Sequence, residues 1–387
     1  MAGTAQERFA FPLFATGLVI VGLSISAMIS MAQVLAVQEF NASYTEQGVI
    51  GALRSIPYVI SAVVVGYFLS YVNKRTALSL SSILVAASSI YIAASSSMLD
   101  IYISQLIFSL GLAFYWPVAE SILADVFKDS DKLKAYGKYS ASWNGGFLLG
   151  AIFSGVVGEV TGLRTMFTLA ALISLLAVFP ILKINMNKST LAASSVKMSY
   201  FKALTPAYVI TLPVIAVFGA ILTLIPGYAW RIGFVILEIG IIMVPMWVLR
   251  IIASLYLALR PPKRVNIVLA LIGLSMASAL LTNTLVQNYI SVVLLLSVVG
   301  IAISYFYAVM FYIISSKAKV RTELAIGGYE SVIGMGFFLG PPAAGLVADY
   351  LGVTALFIFL ALVSLVAAAT GALIYRASSN RFHRYQP

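Results

Sequence analysis

No cysteine occurs in the chain, and its one histidine, His383, lies in a basic C-terminal tail. Disulfides, thiol nucleophiles and metal centres ligated by Cys or His are therefore excluded. Charge is also scarce: Asp, Glu, Lys and Arg make up 10% of the 387 residues, against roughly 25% in ordinary soluble domains. A water-soluble globule is ruled out by that scarcity. Neither a phosphate-binding loop nor an HExxH element is present, so ATP-driven transport and zinc-dependent hydrolysis lack their usual sequence support. The chain reads as a non-enzyme that needs no cofactor.

What the sequence has in abundance is apolar surface, with 61% hydrophobic residues and a mean hydropathy of +1.01. A membrane crossing needs about 20 predominantly apolar residues, and such runs follow one another from Phe11 to Tyr375 with only brief polar breaks. They predict an all-α membrane protein of twelve transmembrane helices, at 11–36, 46–70, 76–98, 101–127, 138–160, 165–184, 205–226, 230–258, 265–284, 287–314, 323–348 and 352–375. The first run is long and lacks a clear cleavage site between small residues, so it is expected to be a retained helix and not a removed signal.

The net charge of +11 follows this topology. Arg8, Lys74, Arg75, Lys138, Lys263, Arg264 and Arg376, among others, fall on one side of the predicted bundle, whereas the other side carries Arg164 and Arg231. The positive-inside rule then places both termini in the cytoplasm. The basic balance reports orientation, and no nucleic-acid partner is implied.

A weakly hydrophobic stretch at 183–204 divides the chain into a first half at 1–182 and a second at 205–387. The halves repeat one another. Tyr139, Gly146, Phe147, Leu149, Gly150, Gly155, Val157, Gly162 and Phe167 recur at a constant shift as Tyr329, Gly336, Phe337, Leu339, Gly340, Gly345, Val347, Gly352 and Phe357. Six crossings repeated in the same orientation predict a pseudo-dimer whose axis lies along the membrane normal. The recurring glycines read first as packing residues, because small side chains let membrane helices approach closely. Pro341 and Pro342 inside the eleventh helix are expected to kink it.

The loop after the second helix carries Gly66, Leu69, Ser70, Tyr71, Asn73, Lys74 and Arg75, a degraded form of G-x-L-x-D-R-x-G-R-R. Gln105, Ser109 and Gly111 likewise echo R-x-x-x-G-x-G without its charge, and Gly336, Gly340 and Pro341 carry G-x-x-x-G-P in the eleventh helix. On these residues the sequence resembles the major facilitator superfamily over essentially its whole length. The resemblance implies two pseudo-symmetric six-helix bundles that move a small solute across the cytoplasmic membrane by alternating access. It also implies a cytoplasmic latch at the loop motif, with Asp125 as its anchor.

Ionisable residues inside membrane helices are functional candidates, because each costs about 2.5 to 3.5 kcal/mol on insertion scales. Arg54, Glu120, Glu238, Arg250 and Glu330 stand out, and their sister positions in the repeat are Met243, Val309, Val49, Ser61 and Ser140. The repeat does not demand these charges. Depth along the helices suggests Glu120 or Glu330 as a proton-coupling carboxyl modulated by Arg250. Arg54 and Glu238, both placed in the outer third, are expected to form an outer gate, since members of the resembled family bring the second and eighth helices together there. Trp116, Trp143, Asn144, Tyr305 and Tyr307 are the expected solute contacts, combining apolar walls with a few polar groups. The sequence thus predicts a monomeric, proton-coupled secondary transporter whose partners are a small-molecule solute, protons and the lipid bilayer. A facilitated-diffusion uniporter and a non-transporting sensor of the same fold are the alternatives.

Overall fold

Within a bilayer every backbone amide must be satisfied inside its own segment, so long apolar runs are forced into helices. A computed structural model describes residues 10–59, 73–127, 129–184, 199–259, 264–317 and 322–382, and among them it contains helices and no strand. The first half comprises α1 (Phe11–Phe40), α2 (Tyr44–Leu53, helical again over 56–59), α3 (Lys74–Ala93) and α4 (Met98–Val126). It continues with α5 (Asp129–Thr161) and α6 (Leu163–Leu176, extended by the turn Val178–Leu182). The second half comprises α7 (Ser199–Arg231), α8 (Ile236–Leu259), α9 (Val265–Leu285), α10 (Tyr289–Lys317), α11 (Thr322–Leu351) and α12 (Val353–Phe382). Among the described residues, 11 helices are long and apolar enough to cross a membrane, and α2 is described only as far as residue 59.

Several helices outrun the hydropathy limits. Helix α5 starts at Asp129 and not at 138, α7 starts at Ser199 inside the expected linker, and α12 continues to Phe382 beyond 375. Hydropathy marks only the apolar part of a helix, whereas polar flanks such as 129–134 keep the helical backbone. The remainder of the expected linker, 185–198, lies outside the described residues.

One end of the bundle is closed by short connections, hereafter the short-loop end. Helix α1 stops where Asn41 turns left-handed (φ 51°) and returns its N–H to the carbonyls of Ala36 and Val37. Two residues later Ser43 opens α2 through a reciprocal cap: Glu46 N–H donates to Ser43 Oγ at 3.1 Å and Ser43 N–H to Glu46 Oε2 at 2.7 Å. Helix α2 then breaks at Arg54 and Ser55, because Pro57 has no N–H to offer the carbonyl of Leu53. The Ser55 N–H instead takes the tighter bond to Ala52 O at 2.8 Å.

The repeat read from sequence is visible in the backbone. Gly162 and Gly352 occupy the same turn with φ of 86° and 87°, a region that L side chains enter only with strain. Close approach is repeated too. A Cβ added at Gly150 of α5 would lie 2.3 Å from Leu23 O of α1, and one at Gly340 of α11 would lie 2.1 Å from Ala216 O of α7. Pro341 and Pro342 sit within the continuous α11, packed on Gly48 and Gly51 of α2.

At the short-loop end the two bundles are clasped twice, once on each side of the pseudo-axis. Asp349 of α11 accepts the first N–H groups of α2, from Tyr44 at 3.0 Å and Thr45 at 2.7 Å. Its repeat counterpart, Glu159 of α5, accepts the N–H of Leu237 at the start of α8 at 3.2 Å. Each carboxylate thus meets unsatisfied donors and the positive end of a helix from the other bundle. The two arginines expected at this end are both in use. Arg231 donates to Ala42 O and lies 4.5 Å from the centre of the Tyr44 ring, while Arg164 pairs with Glu39 and donates to Ala93 O at 2.8 Å and Ser95 O at 2.7 Å.

Candidate functional site

Below the clasps, a cavity of about 120 Å³ lies between the bundles. Several helices contribute both a charged side chain and an aromatic one about one turn away. Arg54 and Tyr58 come from α2, Trp116 and Glu120 from α4, and Trp247 and Arg250 from α8; Glu330 of α11 and Tyr307 of α10 add further polar groups to the lining. Residues three or four apart share a helix face, so each of these pairs reaches the same space.

Glu120 and Glu330, which belong to opposite bundles, bring their carboxyl groups close enough to interact directly. Glu330 is buried and accepts a hydrogen bond from the Tyr58 hydroxyl, while Glu120 is partly open. Two ionised carboxylates in contact repel, and one proton shared between them removes that repulsion. The arrangement can therefore hold or release a proton at the bundle interface.

Arg250 lies in the same cavity but is not a partner of either glutamate: among the described residues no carboxylate is within ion-pair distance of it. Aromatic rings surround it instead. Its guanidinium carbon is 4.8 Å from the ring centre of Trp143, 5.2 Å from those of Phe218 and Trp247, and 5.7 Å from that of Tyr307. The ring faces stabilise the cation through their quadrupoles.

The expected gate between Arg54 and Glu238 does not form in this structure. With α2 beginning at Tyr44, Arg54 is ten residues down the helix, about 15 Å at 1.5 Å per residue and so near mid-membrane. It donates through Nη2 to Thr223 Oγ1 of α7 at 2.8 Å and lines the central cavity. Glu238 lies in the first turn of α8 and accepts the N–H of Val235 at 3.0 Å. The reason is register: counting the second helix from 46 and the eighth from 230 matches two depths that, from the observed starts at Tyr44 and Ile236, differ by about two turns. Polar contact between the bundles at that end comes from Asp349, Glu159 and Arg231.

Of the expected solute contacts, Trp116, Trp143 and Tyr307 line the cavity. Asn144 does not: it is fully buried, with Nδ2 donating to Ser140 O at 2.7 Å and to Ser140 Oγ at 3.2 Å. Ser140 Oγ in turn meets Ser254 Oγ of α8 at 2.9 Å, so this group ties the bundles together away from the cavity wall. Tyr305 is half-buried and outside the lining. In the loop motif, Gly66 lies outside the described residues, as do Leu69, Ser70 and Tyr71, and the Asp125 side chain is likewise not described. Lys74 and Arg75 open α3, where Asn73 Oδ1 caps the N–H of Arg75 at 3.0 Å.

Tyr58 and Trp247 escaped the sequence reading, although a signal existed. Trp116 precedes Glu120 by about one turn, and a spacing of three or four residues likewise joins Tyr58 to Arg54 and Trp247 to Arg250. Phe147 and Phe218, which also line the cavity, carry no comparable mark.

Comparison with known proteins agrees with this architecture. The human organic anion transporter MFSD10 (TETRAN) superposes with a TM-score of 0.72 at 15% identity, over 95% of this chain and 99% of that one. A bacterial homologue of the human lysosomal transporter Spinster, inward-facing and unoccupied, superposes with a TM-score of 0.74 at 14% identity, over 97% and 98%. Its inward-facing, occupied form gives 0.74 at 13% identity over the same shares. At these identities the likeness is one of fold. No curated protein matches the chain by sequence. The sequence profile of the Major Facilitator Superfamily, however, matches residues 14–321 and 256–383, and the chain belongs to that superfamily.

Proposed function

We propose that this protein is a proton-coupled secondary transporter that carries a small solute across the cytoplasmic membrane by alternating access. The observation that supports this reading most is the meeting of Glu120 and Glu330 from opposite bundles at one cavity. A proton on the pair favours its closure across the interface, and loss of that proton drives the two carboxylates apart. Protonation is thereby linked to the relative position of the bundles, which is what coupling requires. In this reading 1–182 and 205–387 move against each other as a monomer about the 183–204 linker. The short-loop end faces outward and both termini lie in the cytoplasm, as the charge bias requires.

Thermal stabilisation of the purified chain by a solute panel identifies ligands, because binding to the folded state raises apparent stability. Uptake of a stabilising solute into proteoliposomes then tests coupling. Wild type should accumulate it under a pH gradient, whereas Glu120→Gln and Glu330→Gln should only equilibrate or exchange it. Unchanged gradient-driven accumulation in both variants refutes the coupling site, and equilibration without accumulation by wild type identifies a uniporter.

A further inference from the structure

Proton exchange at the carboxyl pair does not require the two arginines of the cavity. Each is nearly inaccessible, with Arg54 4% and Arg250 2% exposed, and guanidinium does not lose its charge in proteins. Such a group in a membrane interior is expensive unless a partner offsets it. Nevertheless Arg54 Nη1 and Arg250 Nε have no hydrogen-bond partner, and among the described residues no carboxylate pairs with either side chain. Thr223 and the aromatic rings solvate them without neutralising them.

We infer that the transported solute is an organic anion with a compact apolar body, its acidic head received by Arg54 and Arg250 and its body by the aromatic wall. This rests on the reading of the chain as a transporter. Two arginines facing a carboxyl pair that shares one proton leave the cavity with a net positive charge. A cationic solute would meet both guanidinium groups in a site of low dielectric, whereas an acidic head would satisfy their free donors. The repeat argues against a scaffold role, since the sister residues are Met243 and Ser61. Trp143, Trp247, Phe147 and Phe218 supply flat apolar surface beside the charges. The size of the space fixes the scale. A cavity of about 120 Å³ approaches the engineered apolar cavity of about 150 Å³ that admits benzene, so the body is of the order of a single ring.

Four probes with one ring and different heads separate the possibilities: benzoate, phenylphosphonate, benzylamine and benzyl alcohol. Binding to the full chain in nanodiscs is read from tryptophan fluorescence, for which Trp143 and Trp247 are built-in reporters, and from thermal stability. At least one of the two anions should bind about tenfold or more tightly than the amine and the alcohol, and benzoate against phenylphosphonate distinguishes the head. Arg54→Gln and Arg250→Gln should each weaken that anion by about tenfold or more, and Arg250→Lys should retain part of the affinity through its charge. If an arginine variant fails to fold, the ranking of heads on wild type and the other arginine variant still decide. Binding of the amine or alcohol as tight as that of the anions overturns the inference. So does absence of anion binding, or anion affinity unchanged in both arginine variants. Equilibrium binding needs no gradient, so failure here leaves the coupling result of the glutamate variants intact, and failure of coupling leaves this binding test intact.

Discussion

Tyr58 of α2 donates its hydroxyl hydrogen to Glu330 of α11, joining the two bundles beside the cavity they enclose. A hydrogen bond to a charged group contributes about 1.5 to 3 kcal/mol, enough to shift a two-state balance by a factor of ten or more. Tyr58→Phe should therefore loosen this junction. In the naturally cysteine-free chain, a cysteine placed at Ser55, which lines the cavity, should react with a water-soluble thiol reagent about tenfold faster when Tyr58→Phe is also present. Equal labelling rates would show that the bond does not hold the bundles together.

The clasps at the short-loop end make a second prediction. Asp349→Ala and Glu159→Ala each remove a carboxylate from the N-terminus of a helix in the opposite bundle, a loss of about 0.5 to 2 kcal/mol by analogy with helix caps. Both variants should increase the fraction of molecules open at that end, with the double variant additive because the clasps use separate elements. Spin labels at exposed positions 161 and 351, one in each bundle, report this opening as a longer distance. An unchanged distance distribution in the double variant would remove the clasps from the account.

Two glycines should respond oppositely to the same substitution. At Gly352 the backbone is left-handed (φ 87°), so Gly352→Ala should lower thermal stability by about 1 kcal/mol or more. Gly145 lies within α5 and a Cβ there meets nothing within 4 Å, so Gly145→Ala should raise stability by up to about 1 kcal/mol through helix propensity. Melting of the two variants in the same lipid environment checks both signs together.

Much of the fold was legible because apolar run length and the glycine repeat both follow from the bilayer, which leaves few alternatives to helices packed through small residues. The charged cavity was legible in part for a similar reason. Glu120, Arg250 and Glu330 are costly where they stand, so cost alone found them. Contacts were not legible. The pairing of Arg54 with Glu238 failed chiefly because α8 starts at Ile236 and not at 230, which leaves Glu238 in its first turn, and hydropathy does not register where an apolar connection becomes a helix. Asn144 and Tyr305 were misplaced because which face of a helix meets the cavity is decided by packing. Asp349 and Glu159 drew no notice because they sit at helix ends, where a carboxylate carries no insertion penalty to mark it.

The central claim is that protonation of the Glu120 and Glu330 pair sets the position of the bundles, and it can be tested without knowing the solute. Distances between spin labels at 161 and 351 are measured in nanodiscs across a pH series, in wild type and in the Glu120→Gln, Glu330→Gln double variant. The account predicts that the short and long distance populations of wild type exchange with pH, and that those of the double variant do not change. The same pH-dependent exchange in the double variant, or none in wild type, would contradict it.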